Sequence, residues 1–326
     1  MMKFSILIAV YNAERYLPAC LDSLRRQTLT EWEAICVDDA STDRSWDVLQ
    51  QYAKIDSRIK TIHLTENHGQ GHARNVGLQQ ALGQWVAFLD SDDWLADDAL
   101  ERVAAVFTRY PKTGSVLFRL LYNYDDGREE PYPMQDFTVL SGKDAFRLSL
   151  TWAIHGVYVV RRDIHVRYPY DESAHSFSDD NTTRLHYLAS DEVRCSDGVY
   201  HYRQHSASVS HAASVYRFDY LSANASMKRQ MISMAVEDSL ISLYENVRWL
   251  NVIDVYQFYF KYRFNLSTSD RKHGLACIKQ AWQSIEVTRL RLRTRLKFGY
   301  IPFRCCWQLF RLEEEAYFSL RRLLGR

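Results

Sequence analysis

Residues 85–95 read Trp85-Val86-Ala87-Phe88-Leu89-Asp90-Ser91-Asp92-Asp93-Trp94-Leu95, an apolar run that breaks abruptly into carboxylates. Aromatic and aliphatic side chains follow one another from Trp85 to Leu89 without polar alternation, which predicts a strand covered on both faces. A carboxylate taken out of water without a partner is strongly unfavourable. Asp90, Asp92 and Asp93 therefore belong at the rim of a sheet, in water or on a cation. In open α/β sheets the crevice beyond the carboxyl ends of the strands is where ligands bind. Aspartate also serves as an ordinary turn and N-cap residue, so the cluster takes its meaning from its surroundings.

Working outward, three more apolar runs precede it, each ending in polar residues. Residues 5–10 form a short β-branched strand closed by Tyr11-Asn12, with Asn12 a candidate N-cap. Leu17, Cys20, Leu21 and Leu24 follow at helical spacing, and Pro18 falls early enough in that helix to be tolerated. Residues 34–37 form a second strand, ending in Asp38-Asp39-Ala40-Ser41-Thr42-Asp43. Ser41 is positioned to cap a helix that turns Val48, Leu49 and Tyr52 inward. Residues 59–64 give a third strand, then a glycine-bearing loop, Asn67-His68-Gly69-Gln70-Gly71. A helix with Ala73, Val76 and Ala81 on its apolar side ends at Gly83. This β-α-β-α-β-α-β order with short links predicts right-handed crossovers and a Rossmann-like, mainly parallel sheet flanked by helices.

Neither GxGxxG nor a Walker loop follows the first strand. Polar groups gather at three strand ends instead, Tyr11-Asn12, Asp38-Asp39 and residues 90–93. A nucleotide site of that kind lacks a glycine cradle for phosphates. A divalent cation on one or two carboxylates, completed by the ligand's own phosphates, fills that need.

At 326 residues the chain accommodates one large domain, or a domain of about 200 residues with an appendage. Its 47% hydrophobic and 25% charged residues are ordinary for a globular protein, and a net charge of +1 offers no argument for nucleic acid. Six cysteines without a CxxC or paired spacing argue against a zinc site or a disulfide framework. The apolar run at residues 4–10 lacks a signal-peptide cleavage site, and no uncharged stretch of about 18 residues predicts a membrane span. These features lead to the expectation of a cytoplasmic protein.

The combination of SILIAVYNAERYL, ICVDDASTDRS, NHGQGHARNVGLQQALGQWVAFLDSDDW and a later acidic pair resembles the family-2 glycosyltransferases, which have the GT-A fold. The likeness covers roughly residues 1–211. It implies that Ala9, Tyr11 and Asp39 bracket the base of a nucleotide-sugar donor, with Asp39 accepting from the base's imino N–H and Asp38 bonded to backbone at the strand end. It makes Arg74 a contact near the diphosphate, against the alternative of a surface salt bridge. Asp90-Ser91-Asp92 match the family's metal motif, with Asp92 the direct ligand of Mn²⁺ or Mg²⁺ and Asp90 on the ribose or on the metal through water. Asp93 is left to cap the next element.

Downstream, helix 97–110, strand 116–124 with its turn Asp125-Asp126-Gly127, helix 143–150 and strand 157–160 follow from pattern. His155 reads either as an acceptor contact or as a structural histidine. Ser178-Asp179-Asp180 opens a helix, and in the resembled family the second member of such a pair is the catalytic base, here Asp180. An acceptor hydroxyl needs a group of that kind to take its proton. Asp179 stands where the family usually has Glu. Short strands at 192–195 and 199–202 lead to His205, the first candidate for a further metal ligand, with His211 the second.

The family's processive members carry a Gln-x-x-Arg-Trp motif and membrane helices. Neither is found here, so the likeness implies transfer of one sugar per encounter. The expected activity is an inverting transfer from a nucleoside-diphosphate sugar, UDP by preference, to a glycan or lipid-linked acceptor in cell-surface polysaccharide synthesis. A nucleotidyltransferase would need a Gly-rich basic loop where Tyr11-Asn12-Ala13-Glu14 stands. A silent nucleotide-sugar scaffold would have lost Asp39, Asp92 or Asp180.

After about residue 214 the pattern turns helical, dividing the chain into a catalytic domain at 1–213, with a donor half at 1–95 and an acceptor half at 96–213, and an α-helical region at 214–326. Leu240, Leu243, Tyr244, Val247 and Leu250 are spaced for one buried face, and residues 276–296 continue helically. Arg289, Arg291, Arg293, Arg295, Lys297 and Arg304 cluster beside Tyr300, Phe303, Trp307, Leu309 and Phe310. That composition suits either an anionic membrane surface, which would hold the protein at the inner face of the membrane, or a helical bundle or homo-oligomer face.

Overall fold

Each apolar run of the first ninety residues becomes a strand, and each polar cluster lies just past its carboxyl end. The computed structural model describes residues 2–205, 214–295 and 306–324. Contacts divide the chain into two compact units, Met1–Ser208 and Val209–Arg326.

In the first unit the order is β1 (Phe4–Val10), α1 (Leu17–Arg25), β2 (Trp32–Asp38), α2 (Ser45–Ile55), β3 (Ile59–His63), α3 (Gln70–Leu78) and β4 (Trp85–Phe88). Strands β3, β2, β1 and β4 lie side by side and all parallel. Then come β5 (Trp94–Leu95), α4 (Ala99–Arg109), β6 (Thr113–Tyr124), β7 (Glu129–Pro131), β8 (Leu140–Ser141), α5 (Gly142–Ser149), β9 (Tyr158–Arg161), α6 (Arg162–Arg167), α7 (Asp179–Ala189) and β10 (Glu192–Gln204). The sheet runs β3-β2-β1-β4-β9-β6-β10-β5, with β9 antiparallel to both β4 and β6. It is therefore a mixed sheet flanked by helices, parallel in its first half.

The opening stretch sits at the centre of this sheet. Trp85 stacks on Phe107 of α4 at 4.8 Å between ring centroids and tilts against Phe4 of β1 at 5.1 Å. Ala87 joins the core on that side, while Val86 joins Leu7, Ile35, Val37 and Ala73 on the other. Both faces are covered, as the unalternating sequence predicts, and each fully buried side chain of this size contributes roughly 1.5–3 kcal/mol. Gly83 serves a different end from closing α3, which stops at Leu78. A Cβ there would lie 2.4 Å from the Ser5 amide nitrogen, so only glycine lets the chain cross this close to β1.

Three cap assignments change. Asn12 does not cap α1, whose N-cap is Tyr16. It adopts φ 50°, and its Oδ1 accepts from Thr42 N at 2.8 Å and Asp43 N at 3.3 Å, tying the β1 and β2 loops together. Ser41 does not cap α2 but accepts from Asn12 N at 3.0 Å. Asp93 caps no helix. It is buried, accepting from Tyr200 Oη at 2.8 Å and from Arg203 N at 2.8 Å. The strands expected at 192–195 and 199–202 are one strand, β10, with a register shift between Cys195 and Val199.

The second unit is helical, with α8 (Asp219–Ser233), α9 (Asp238–Tyr262), α10 (Thr268–Gln283), α11 (Leu292–Arg295) and α12 (Trp307–Leu323). The buried face of α9 is rotated from the expected one: Leu240, Ile241, Tyr244, Trp249, Val252 and Tyr256 are inside, and Leu250 is exposed. Hydrophobic spacing misses this because Glu245 and Arg248 are also inside, paired at 2.8 Å, with Lys228 on Glu245 at 2.9 Å. Arg289 is consumed by Glu286 and Asp238, and Arg295 by the carbonyls of Val287 and Thr288. Two members of the expected basic face are thus paired within the unit, while Arg291 and Arg293 are exposed. Its members Lys297, Tyr300, Phe303 and Arg304 lie outside the described residues. Among the described residues no helix is long and apolar enough to cross a membrane.

Candidate active site

The carboxyl ends of β1, β2 and β4 and the start of α7 bring most of the expected residues to one region. Ala9 is half-buried near the end of β1, and Tyr11 beyond it is 50% exposed. Asp39 is buried, its Oδ1 accepting from His68 N at 2.9 Å and its Oδ2 from Gly69 N at 2.8 Å. The glycine-bearing loop is thereby folded onto the β2 end, with Gly69 at φ 92°. Asp38 has a backbone contact at the strand end and a histidine partner besides. Its Oδ2 lies 2.7 Å from His63 Nδ1 and 3.4 Å from Ser41 N, while its Oδ1 is enclosed without a partner.

Arg74 is no surface residue: it is 1% exposed. Its Nη2 donates to Asp90 Oδ1 and its Nη1 to Asp179 Oδ2 at 3.3 Å. Its guanidinium lies over Phe88 at 4.4 Å and Tyr170 at 5.3 Å. Removal from water works against the charge, but Asp90, Tyr170 and Asp179 outweigh it and hold the guanidinium's pKa above its ordinary value. Its terminal nitrogens thus bridge the two acidic clusters, and no diphosphate contact is needed to account for its burial.

Asp90 also accepts from Gln70 Nε2 at 3.0 Å, and its amide donates to Tyr200 Oη at 3.1 Å. Burial pushes its carboxyl up to about 6, with Arg74 opposing and Asp92 and Asp179 adding. Ser91 is half-buried beside it. Asp92 points elsewhere, placing Oδ2 2.8 Å from His205 Nε2, and its carbonyl accepts from Arg203 Nε at 2.8 Å. The His205 ring rests on Tyr16 at 4.8 Å. Arg203 lies over Trp94 at 4.6 Å, and Trp94 stacks on His201 at 5.0 Å. These contacts pin the 92–94 turn.

A carboxylate and an imidazole at this separation form a donor pair suited to Mn²⁺, and to Mg²⁺ when oxygen ligands from a substrate complete the shell. The residues present fit such an ion with two protein ligands. No cluster of three or more His, Cys, Asp or Glu able to hold a metal occurs among the described residues. Asp90 Oδ1 is engaged by Arg74 and Gln70. His211 lies outside the described residues.

Asp180 is half-buried in the first turn of α7. Removal from water pushes its pKa up to about 7, opposed by Arg184 and reinforced by Asp179. Arg184 is one helical turn on, buried over the Trp152 ring at 4.7 Å. Trp152 is strained at φ 55°, and its carbonyl accepts from Tyr132 Oη at 2.7 Å. Tyr132 is itself raised by burial and by the charge of Asp180. A carboxyl group that titrates near neutrality can exchange a proton with a hydroxyl brought against it. His155 is buried and neutral, held at about 4 by burial, and its Nδ1 accepts from Val157 N at 3.2 Å.

Sequence reasoning missed Gln70, Tyr132, Trp152, Tyr200 and Arg203. Only Arg184 carried a signal, its i+4 spacing from Asp180 on a helix. The others come from distant segments that only the fold brings together.

The family model described as "Glycosyl transferase family 2" matches residues 5–167. The chain is 50% identical over 99 residues to a "Putative glycosyltransferase EpsH" of Bacillus subtilis, covering 30% of this chain and 28% of that protein. It is 31% identical over 211 residues to the "Poly(ribitol-phosphate) beta-N-acetylglucosaminyltransferase TarS" of Staphylococcus aureus, covering 62% of this chain and 35% of that one. The chain thus spans about a third of the length of these curated relatives. In three dimensions, TarS 1–349 of S. aureus in complex with UDP-GlcNAc superposes at a TM-score of 0.72 and 20% identity, covering 100% of this chain and 93% of that one.

Proposed function

Because the chain belongs to glycosyl transferase family 2, we propose that it is an inverting glycosyltransferase moving one sugar per encounter from a UDP-sugar to a hydroxyl of a glycan or lipid-linked acceptor. Relatives named for poly(ribitol-phosphate) glycosylation and a fold neighbour described with UDP-GlcNAc support that donor and a role in cell-surface polysaccharide synthesis. The observation that carries the reading is the Asp90–Arg74–Asp179 bridge, which couples the rim of β4 to the helix turn bearing Asp180.

In this reading residues 1–213 are the catalytic domain, its donor half at 1–95 and its acceptor half at 96–213. Ala9, Tyr11 and Asp39 bracket the base, and Asp90 and Ser91 face the ribose. Arg74 is a positioning residue for both acidic clusters. Asp92 and His205 hold a Mn²⁺ or Mg²⁺ ion, which when bound neutralises charge growing on the departing diphosphate. Asp180 takes the acceptor hydroxyl's proton, and the resulting oxygen attacks the anomeric carbon from the side opposite the diphosphate. A cytoplasmic location, where UDP-sugars are made, accords with this chemistry.

Asp180→Asn separates the roles. Release of UDP from UDP-sugars with Mn²⁺ is expected to fall by about 10²–10⁴-fold, while UDP binding by calorimetry stays within about twofold. Near-normal turnover in that variant would remove Asp180 as the base, and release of pyrophosphate in place of UDP would overturn sugar transfer altogether.

A further inference from the structure

Trp152 follows α5 and stands at φ 55°, in the left-handed region. Its amide donates to Ser149 O at 3.2 Å, and the amide of Ala153 donates to Leu148 O at 3.0 Å. This pair of bonds is the Schellman closure of a helix. The left-handed position of that closure usually holds glycine, because a Cβ there crowds the following carbonyl. Glycine would end α5 at lower cost, so the helix end does not account for an indole. A strained residue beside a reacting group calls for an account of what its side chain holds.

The ring holds an arginine. The Arg184 guanidinium lies over the Trp152 ring at 4.7 Å and is 1% exposed. A cation is attracted to an aromatic face, and more strongly where water is excluded. Arg184 Nη1 also donates to Asn181 Oδ1 at 3.2 Å, and Asn181 Nδ2 donates to Asp171 Oδ2 at 2.7 Å. The charge is thereby kept against the first turns of α7. The Trp152 backbone holds a second group, its carbonyl accepting from Tyr132 Oη at 2.7 Å. Tyr132 comes from the segment after β7 and Arg184 from α7, so Trp152 joins two parts of the chain 52 residues apart in sequence. Both groups face Asp180. Arg184 favours its ionised form, and the charge of Asp180 in turn raises Tyr132. Asp179, on the same turn, is the other charged group beside it.

We propose that Trp152 is a positioning residue for Asp180, its ring seating Arg184 and its carbonyl seating Tyr132 beside that carboxyl, an inference that rests on Asp180 serving as the base.

Trp152→Gly tests this, with turnover read as UDP release from UDP-sugars with Mn²⁺ across pH. Glycine suits the left-handed position, so the far-UV circular dichroism spectrum is expected to stay unchanged. Without the ring, Arg184 is no longer fixed beside Asp180. Turnover is expected to fall about tenfold or more, while UDP binding by calorimetry stays within about twofold. The acidic limb of the profile should move to higher pH by roughly half a unit or more, because a cation favouring the carboxylate is lost. Trp152→Phe keeps an aromatic face and should bring both turnover and limb most of the way back. If the glycine variant fails to fold, Trp152→Leu, which keeps bulk without an aromatic face, carries the same expectation. An acidic limb that stays in place, or a phenylalanine variant no better than the one lacking a ring, overturns the proposal. Asp180→Asn tells this failure from that of the base. If it abolishes turnover while loss of the Trp152 ring leaves the limb unmoved, the role of Trp152 alone falls. If Asp180→Asn turns over normally, both fall.

Discussion

Asp180 is the residue on which chemistry and environment agree most closely. Its folded pKa lies above the ordinary carboxylate value of 3.8, at about 7, because the surrounding protein displaces water and Asp179 adds a like charge, with Arg184 opposing. A base works only when ionised, so transfer activity is predicted to rise with pH through about 7 and level off above it. Tyr132, Asp179 and Arg184 are the titratable or charged groups that face it. Removing the like charge with Asp179→Asn should therefore move the acidic limb to lower pH. A pH profile of kcat/KM for both proteins checks this; a limb that stays in place would assign the ionisation to another group. The same reasoning explains why Asp90 and Asp180 differ in use. Asp90 has a buried guanidinium locked onto it, whereas Asp180 has its arginine a turn away and a half-buried approach.

At the scale of elements, the helix start that bears the proposed base, Asp180, follows a segment that sequence patterns leave blank. Between α6 and α7, residues 168–178 are pinned to α3 and its preceding loop. Asn75 clamps Tyr170 by both backbone groups, Oδ1 accepting at 2.8 Å and Nδ2 donating at 2.9 Å. His72 meets Glu172 at 2.9 Å, and His175 meets Asn67 at 2.9 Å. Asn75→Ala removes the clamp and is predicted to cost about 1–3 kcal/mol, by leaving buried backbone groups unpaired. It should also lower turnover more than donor affinity, since it loosens the approach to α7. Faster amide exchange across residues 168–178, read by mass spectrometry, would confirm the loosening; unchanged exchange would deny it. The first four strands and their helices were legible because parallel-sheet strands are apolar runs punctuated by polar ends, and this pattern is local. The antiparallel insertion of β9, the single bulged β10 and the rotated face of α9 were not, since each depends on partners far away in sequence or on charged residues buried in pairs. Within the site, the sequence shows which carboxylates gather at strand ends. It does not show that Arg74 spans two of those clusters, that Asp93 belongs to Tyr200 and Arg203, or that Asp38 keeps an enclosed oxygen.

On the scale of the whole molecule, two units with separate cores give the protein buried ionisable groups whose effects on stability run in opposite directions with pH. In the first unit His155 and His186 are held neutral, each at about 4, so the unfolded chain binds more protons than the folded one as pH falls below 6.5, and their contribution is lost in that direction. In the second unit Glu314 has both carboxyl oxygens enclosed without partners, and burial pushes it up from 4.5 to about 8, with Glu313 adding. Here the folded state binds the extra proton, so the contribution of Glu314 is fully present below pH 4.5 and is lost as pH rises towards 8. Glutamine reproduces the protonated carboxyl in shape without its ionisation. Glu314→Gln is therefore predicted to leave the melting temperature nearly unchanged at pH 5 and to raise stability by roughly 2–4 kcal/mol at pH 8. Thermal unfolding of both proteins across that range checks it. A difference that does not grow with pH would mean that the Glu314 carboxylate finds a partner as it ionises.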